Sequence, residues 1–210
     1  DLCSLRPDVV RLTKVCEMKF DKKGKMLHAR FADAFIRSKA RLTYQEAFTM
    51  LKGHDKGEVS SMVREAWKLA SILRRNRYAK GALDLDFPEV RAVMDKDGHV
   101  TDIITEEYDE SHQLIEECML AANEAVALTL KNRNRPTIYR VHEEPDSAKL
   151  FEFGQLCKLY GHPVHDIGQR QYLNELMKSI KGSPDEQLLK LALLKSLMRA
   201  RYDTEPLGHY

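Results

Sequence analysis

Apolar residues recur at helical spacing between about Asp109 and Lys131, and this pattern predicts a long amphipathic helix. Asp109 suits the N-cap position, because its carboxylate can accept the unpaired backbone N–H groups of the first turn. The apolar face is broad, which indicates packing against a large surface. It comprises Leu114, Ile115, Cys118, Met119, Ala121, Ala122, Ala125 and Val126.

Three polar residues follow one edge of that apolar face: His112, Glu116 and Asn123. Glu117 lies 100° further around the helix and is predicted to point off the opposite edge. An ordinary helix with solvated flanks would show the same spacing. The periodicity alone therefore leaves open whether this edge has a function.

The other elements are two hairpins, five helices and two short strands. Thr43 and Glu46 form a capping box at the start of the first helix, and Ser183 and Glu186 are predicted to do the same for the last one. Strands fall mostly in the first half and helices in the second, so the fold class is α+β, with a mixed or antiparallel sheet and helices packed around it. The predicted hairpins pair 15–20 with 26–36 and 90–94 with 99–104; the helices are 44–53, 58–79, 146–160, 169–180 and 184–201; the short strands are 83–87 and 138–141.

Length and composition limit the function less than the patterning does. The 210 residues suit one domain, 1–210, and the net charge of +2, from 34 basic and 32 acidic side chains, means that any nucleic-acid surface must be local. No apolar run reaches membrane length, and no signal peptide is expected. The four cysteines lie in apolar contexts without a Cys-x-x-Cys pair, so they are interpreted as buried free thiols in a reducing cytoplasm rather than as a metal site.

Six motifs resemble, in the same order, the catalytic RNB domain of the ribonuclease II and ribonuclease R family, with the ribonuclease R branch fitting better. They are Asp1-Leu2-Cys3-Ser4-Leu5, Val15-Cys16-Glu17-Met18, Ala40-Arg41-Leu42-Thr43-Tyr44, Ile115-Glu116-Glu117-Cys118-Met119 with Ala121-Ala122-Asn123, Tyr139-Arg140-Val141-His142-Glu143, and Gly208-His209-Tyr210.

The resemblance implies a monomeric, cytoplasmic parent protein that degrades RNA from its 3′ end to nucleoside 5′-monophosphates. It also implies a magnesium cofactor, held by aspartates N-terminal to Asp1, and a catalytic arginine C-terminal to Tyr210. The chain is accordingly expected to be a piece truncated at both ends, without catalytic or metal-ligating residues and inactive alone.

The resemblance assigns substrate contacts to residues within the chain. Phe87 matches a phenylalanine that stacks on a base, Tyr44 an aromatic position near the RNA channel, and Glu116 a glutamate beside the terminal ribose. A carboxylate that accepts from a 2′-hydroxyl favours RNA over DNA, and His112 and Asn123 are predicted to hold the Glu116 rotamer. From the alternation alone, Phe87 is better placed on the core face with Leu83 and Leu85, and Tyr44 could also simply pack in the first helical turn.

Several alternatives stay open. Asp84 and Asp86 could ligate magnesium or could line the wet face of a half-buried strand. The basic residues Arg74, Arg75, Arg77 and Lys80 could complement the helix dipole or contact RNA. His142 is interpreted as a hydrogen-bonded structural histidine. The parent could also be a non-catalytic RNB-fold protein that binds RNA or regulates, or a helical scaffold unrelated to RNA.

Overall fold

The computed structural model describes residues 3–54, 56–83, 85, 87, 89–106 and 108–210. The chain divides into two compact units. The first unit comprises Asp1–Asn76 and Val90–Thr129, and the second comprises Arg77–Glu89 and Leu130–Tyr210. The described part has six helices and three two-stranded sheets, which confirms the α+β prediction.

The first unit begins with an antiparallel hairpin of β1 (Val10–Phe20) and β2 (Met26–Arg37). Asp21 closes its turn, accepting the N–H groups of Lys23 and Lys25 at 2.8 and 2.9 Å. β1 starts five residues earlier than predicted, because its whole length pairs with β2. Leu12 and Phe35, which are cross-strand partners, are each 76% exposed. The face predicted to be buried, Cys16, Met18 and Phe20, is only half-buried.

The turn of this hairpin lies against the helix α2 (Glu58–Ala79), whose bounds match the prediction. Gly24 has φ +77°, and a Cβ there would lie 2.8 Å from Ile72 Cγ2, so both the backbone conformation and the close approach require glycine. Asn76 donates to the Lys23 carbonyl at 2.7 Å. These contacts fix the hairpin on α2.

Before α2 comes the short helix α1 (Tyr44–Lys52), with the predicted capping box at Thr43 and Glu46 and with Gly53 as its C-cap. The Arg64 side chain on α2 donates to the Met50 carbonyl of α1 at 3.0 Å. β3 (Glu89–Met94) and β4 (Val100–Glu106) form the second predicted hairpin. The long helix α3 (Glu110–Asn132) follows, with Asp109 as its N-terminal cap.

The second unit is built on a core of aliphatic and aromatic side chains from three helices, α4 (Ser147–Leu159), α5 (Arg170–Ile180) and α6 (Glu186–Ser196). Burial of this apolar surface stabilises the unit. The buried cluster consists of Leu150, Phe153, Cys157, Leu173, Leu176, Met177, Ile180, Leu189 and Leu193.

The last helix was predicted wrongly at both ends. α6 begins at Glu186, whose carboxylate accepts the Gly182 N–H at 2.6 Å, and within the described residues the buried Ser183 Oγ has no hydrogen-bond partner. α6 ends at Ser196, and the chain then forms the unpredicted strand β6 (Arg201–Asp203). β6 pairs antiparallel with β5 (Tyr139–Val141), and this non-local pairing outweighs the local helical preference.

The cysteines are all free, as predicted, but they are not all buried. Cys157 is fully buried, Cys16 is half-buried, and Cys3 and Cys118 are exposed. None of the helices in the described part of the chain has the combined length and apolarity of a bilayer-spanning segment.

Candidate functional site

The first turn of α3 is organised by Asp109. Its Oδ1 atom accepts the Ser111 N–H at 2.9 Å and the Ser111 hydroxyl at 2.5 Å, and it lies 3.0 Å from His112 Nδ1. Partial burial raises the pKa of the Asp109 carboxyl, but the hydrogen bonds from Ser111 and His112 outweigh it and hold that pKa below its usual value. The ionised carboxylate thus caps the helix and orients the His112 ring.

His112 stacks on Tyr44, with 3.7 Å between ring centroids and 20° between ring planes. Tyr44 is the first residue of α1, so the capping box fixes its backbone, and its side chain is 47% exposed. At the other end of α1, Lys52 Nζ lies 2.5 Å from Glu110 Oε1. The structure therefore brings together Tyr44 and His112 from segments that are 68 residues apart, and it leaves part of the Tyr44 ring accessible.

Glu116 lies one turn further along α3, and its side chain is 37% exposed. The Tyr108 hydroxyl donates to Glu116 Oε2, and Arg74 Nη1 on α2 is 3.6 Å from the same oxygen. His112 was predicted to hold the Glu116 rotamer, but its Nδ1 faces Asp109. Tyr108 and Arg74 contact the Glu116 carboxylate instead.

Glu117 does not point to solvent. Its side chain is only 3% exposed, and its Oε1 atom is 3.8 Å from Arg74 Nη1. The predicted separation of the two glutamates by 100° describes their Cβ directions, but both side chains are long enough for their carboxylates to reach one guanidinium on the neighbouring helix.

The remaining predicted contacts are Asn123 and Phe87. Asn123 is exposed on α3, seven residues and so about 10 Å beyond Glu116. Phe87 belongs to the second unit, where it is half-buried and outside regular secondary structure. Leu83 and Leu85 pack on the buried cluster of that unit. Phe87 is not among the described residues that pack on this cluster. Residues 83, 85 and 87 do not form the predicted strand 83–87. Asp84 and Asp86, the alternative magnesium ligands, lie outside the described residues.

Tyr108 and Arg74 are the members of the site that sequence reasoning missed. Tyr108 directly precedes the helix cap, eight residues before Glu116, so its hydroxyl could have been considered. For Arg74, the sequence left open whether its charge complements the dipole of α2 or contacts RNA. Its pairing with residues 42 and 43 positions later carries no local signal.

His142 has a structural role, as predicted. Its Nδ1 atom lies 3.2 Å from the Tyr210 carbonyl oxygen and its Nε2 atom 2.5 Å from that of Met198. Its backbone N–H donates to Gly208. These bonds fasten the C-terminal segment beside β5.

The carboxylates of the candidate site, Glu116 and Glu117, do not fit a magnesium site. Magnesium prefers oxygen ligands in octahedral geometry, whereas Glu116 and Glu117 already neighbour the Arg74 cation. Asp95, Asp97 and His99 are clustered in the exposed turn between β3 and β4. There Asp95 Oδ1 accepts the backbone N–H groups of Asp97 and His99, both at 2.9 Å, which is a turn-closing arrangement.

The accessible Tyr44 ring on α1 and the accessible Glu116 carboxylate on α3 are features of a binding site for a polar ligand, here in an α+β protein. The RNB domain family matches residues 1–210, and the chain belongs to that family. It is 34% identical over its whole length to Ribonuclease R of Aquifex aeolicus, covering 31% of that protein. The chain therefore spans about a third of the length of this relative.

Solved structures give the same family. Mycoplasma genitalium RNase R in complex with double-stranded RNA is 27% identical, with a TM-score of 0.91 over 99% of this chain and 38% of that one. Its complex with ribose-methylated single-stranded RNA has a TM-score of 0.90. Yeast Ssd1, a pseudonuclease, has a TM-score of 0.66 over 96% of this chain and 25% of its own at 16% identity, which shows a common fold alone.

Proposed function

We propose that this chain is part of a 3′-to-5′ exoribonuclease that hydrolyses RNA processively to nucleoside 5′-monophosphates, and that it supplies structural elements and part of the substrate channel. The observation that carries the proposal is the match of the RNB family over residues 1–210, together with the TM-score of 0.91 to an RNase R. The complex of that RNase R with ribose-methylated single-stranded RNA supports single-stranded RNA as the ligand.

Within the site, Glu116 accepts a hydrogen bond from the 2′-hydroxyl of the 3′-terminal nucleotide, and Tyr44 lies along the RNA. The partial exposure of both side chains and the stacking of Tyr44 on His112 support this placement. His112 acts mainly by fixing Tyr44. Asn123, further along the same helix, contacts a neighbouring part of the strand.

Phe87 stacks on a base near the 3′ end. Its half-buried position outside regular structure supports a side chain with one accessible face. Every base offers a π face, so aromatic stacking suits an enzyme that must accept any sequence.

The proposed cofactor is magnesium, bound by residues of the parent protein outside 1–210, where it supplies metal-activated water for hydrolysis. The resemblance to the RNB domain, which places the ligating aspartates upstream of Asp1, supports this assignment. A monomeric parent in the cytoplasm completes the proposal.

The alternative is a parent that keeps the RNB fold and binds RNA without cleaving it, a possibility that the pseudonuclease fold match illustrates. The two functions differ in the aspartates expected upstream of Asp1. A cluster of closely spaced aspartates in that part of the parent favours the nuclease, and its absence favours the RNA-binding protein.

The experiment that tests both site and function is turnover of the parent protein and its Glu116→Gln variant on oligonucleotides ending in ribose or in 2′-deoxyribose. A hydrogen bond to a charged group contributes about 1.5–3 kcal/mol, so Glu116→Gln should lower turnover on RNA about ten- to a hundredfold. The defect should shrink on the deoxy-terminated substrate, because its partner hydroxyl is already absent. A defect indifferent to the terminal sugar would contradict the assignment.

A further inference from the structure

We infer that Arg74 is a positioning residue for the recognition of the terminal sugar, and that buried Glu117 acts on the substrate through it. The inference rests on the proposed role of Glu116 at the 3′ end of RNA. Arg74 is 16% exposed and its Nη1 atom lies 3.6 Å from Glu116 and 3.8 Å from Glu117, so one guanidinium faces two neighbouring carboxylates.

The two carboxylates have different surroundings. Glu117 is 3% exposed, which leaves it little water to stabilise its charge, and a buried charge requires a partner. Arg74 supplies that partner and is itself held in place by the attraction. Glu117 therefore anchors the guanidinium from the buried side of α3.

Glu116 meets the same guanidinium from the accessible side. Because Arg74 is anchored by Glu117, its contact restricts where the Glu116 carboxylate can lie, and the Tyr108 hydroxyl restricts it from a second direction. A carboxylate that is fixed before the substrate binds loses less side-chain entropy when it accepts a hydrogen bond. The arrangement is suited to distinguishing a terminal ribose from a deoxyribose.

Arginine is suited to this role because its charge is permanent and its planar group has several N–H donors in a fixed geometry. Lysine would keep the charge but would offer one nitrogen. A lysine at position 74 should therefore hold one of the two carboxylates well, but Glu116 and Glu117 together less well than arginine does.

The test compares variants of the full-length parent protein by their terminal-sugar ratio, defined as kcat/KM on an RNA oligonucleotide divided by kcat/KM on the same strand with a 3′-terminal 2′-deoxynucleotide. The ratio of equilibrium affinities for the two strands in metal-free buffer gives a second readout that needs no catalysis. A residue that serves only stability would change the amount of folded protein but neither ratio.

Arg74→Met should lower both ratios about tenfold, since misplacing a binding group by about 1 Å can cost up to about a hundredfold in rate. Arg74→Lys should recover part of the loss. Adding Arg74→Met to Glu116→Gln should lower the ratios no further than Glu116→Gln does alone, because both changes disable one interaction. Lys68→Met is the matched control: Lys68 lies on α2 and pairs with Glu65 at the surface, so its loss should leave both ratios unchanged.

Arg74→Met leaves Glu117 buried without this partner and could unfold the protein, so the double variant Arg74→Met/Glu117→Gln, which removes both charges, is measured beside it. The inference predicts that a folded form of either variant has lost terminal-sugar discrimination. Unchanged ratios in a folded variant would overturn it, as would unfolding of both. If Glu116→Gln alone leaves the ratios unchanged, the proposed role of Glu116 fails first.

Discussion

At the scale of single residues, two side chains that are adjacent in the sequence can differ widely in solvent exposure. Glu116 and Glu117 are adjacent and chemically identical, but their side chains are 37% and 3% exposed. Glu116 is accessible to a ligand, whereas the buried Glu117 is proposed to act through Arg74. The division of roles between them therefore follows from burial.

Phe87→Ala in the parent protein should weaken binding of single-stranded RNA by about 1–3 kcal/mol, the range for losing one base–aromatic stack, while the protein stays folded. If Phe87 instead belongs to the core, the change should cost about 3–5 kcal/mol of the free energy of unfolding. A binding titration and a thermal melt distinguish these results. Phe151→Ala is the control, because Phe151 is an exposed phenylalanine of the same unit. A large melting shift of Phe87→Ala with unchanged RNA affinity would contradict the stacking role.

Cys157 should resist alkylation until the protein unfolds. Its side chain is fully buried, and burial raises the pKa of its thiol to about 11, which leaves about one molecule in a thousand as the reactive thiolate at pH 8. Partial burial and the Glu117 charge also raise the pKa of the Cys118 thiol, but Cys118 is exposed and should react sooner. Labelling by iodoacetamide, followed by peptide mass analysis, measures the order; equal rates for the two cysteines would show that the core around Cys157 opens readily.

At the scale of secondary structure elements, the start of α1 links helix stability to the site, because the capping box directly precedes Tyr44. Thr43 Oγ1 accepts the Glu46 N–H at 3.2 Å, and Glu46 accepts the Thr43 N–H at 2.7 Å. The hydrogen bonds from the Thr43 backbone and hydroxyl hold the pKa of the Glu46 carboxyl below its usual value. The same residues therefore start the helix and fix the backbone of the tyrosine.

Thr43→Ala should lower the free energy of unfolding by about 1 kcal/mol, the usual value of an N-cap side chain. A lowered folded-state pKa means that the contribution of Glu46 is present above its unfolded pKa near 4.5 and is lost as the pH falls through the lower, folded value. The cost of Thr43→Ala should accordingly shrink in melts below about pH 4.5. Thr49→Ala, in the middle of the same helix, is the control and should cost less; an equal cost would argue against the cap.

At the scale of the whole molecule, we expect the proposed nuclease to need more than residues 1–210. We expect the parent protein with magnesium to degrade linear RNA from a free 3′ end to mononucleotides, and the purified 210-residue chain to show no magnesium-dependent degradation. The reason is that the resemblance places the metal-binding aspartates upstream of Asp1, and that Glu116 and Glu117 at the candidate site already neighbour the Arg74 cation. Release of mononucleotides by the chain alone, measured on end-labelled RNA, would show that a metal site lies within it.

The sequence by itself determined the features whose causes are local. The bounds of α2, the capping box at Thr43 and the Asp109 cap each depend on residues within a few positions of one another, so periodicity and capping chemistry were sufficient. The resemblance of six ordered motifs also gave the family, which the match over residues 1–210 confirms.

Only the tertiary structure decided the features that depend on distant residues. α6 stops at Ser196 because the chain beyond it pairs with β5, about 60 residues earlier, and Ser183 does not cap α6 because the helix begins at Glu186. The Arg74 pairing with Glu116 and Glu117 arises because α2 and α3 place these side chains together. Helical spacing fixes the direction of a side chain but not what lies opposite it, so burial and partners at this site could not be predicted from the pattern of residues.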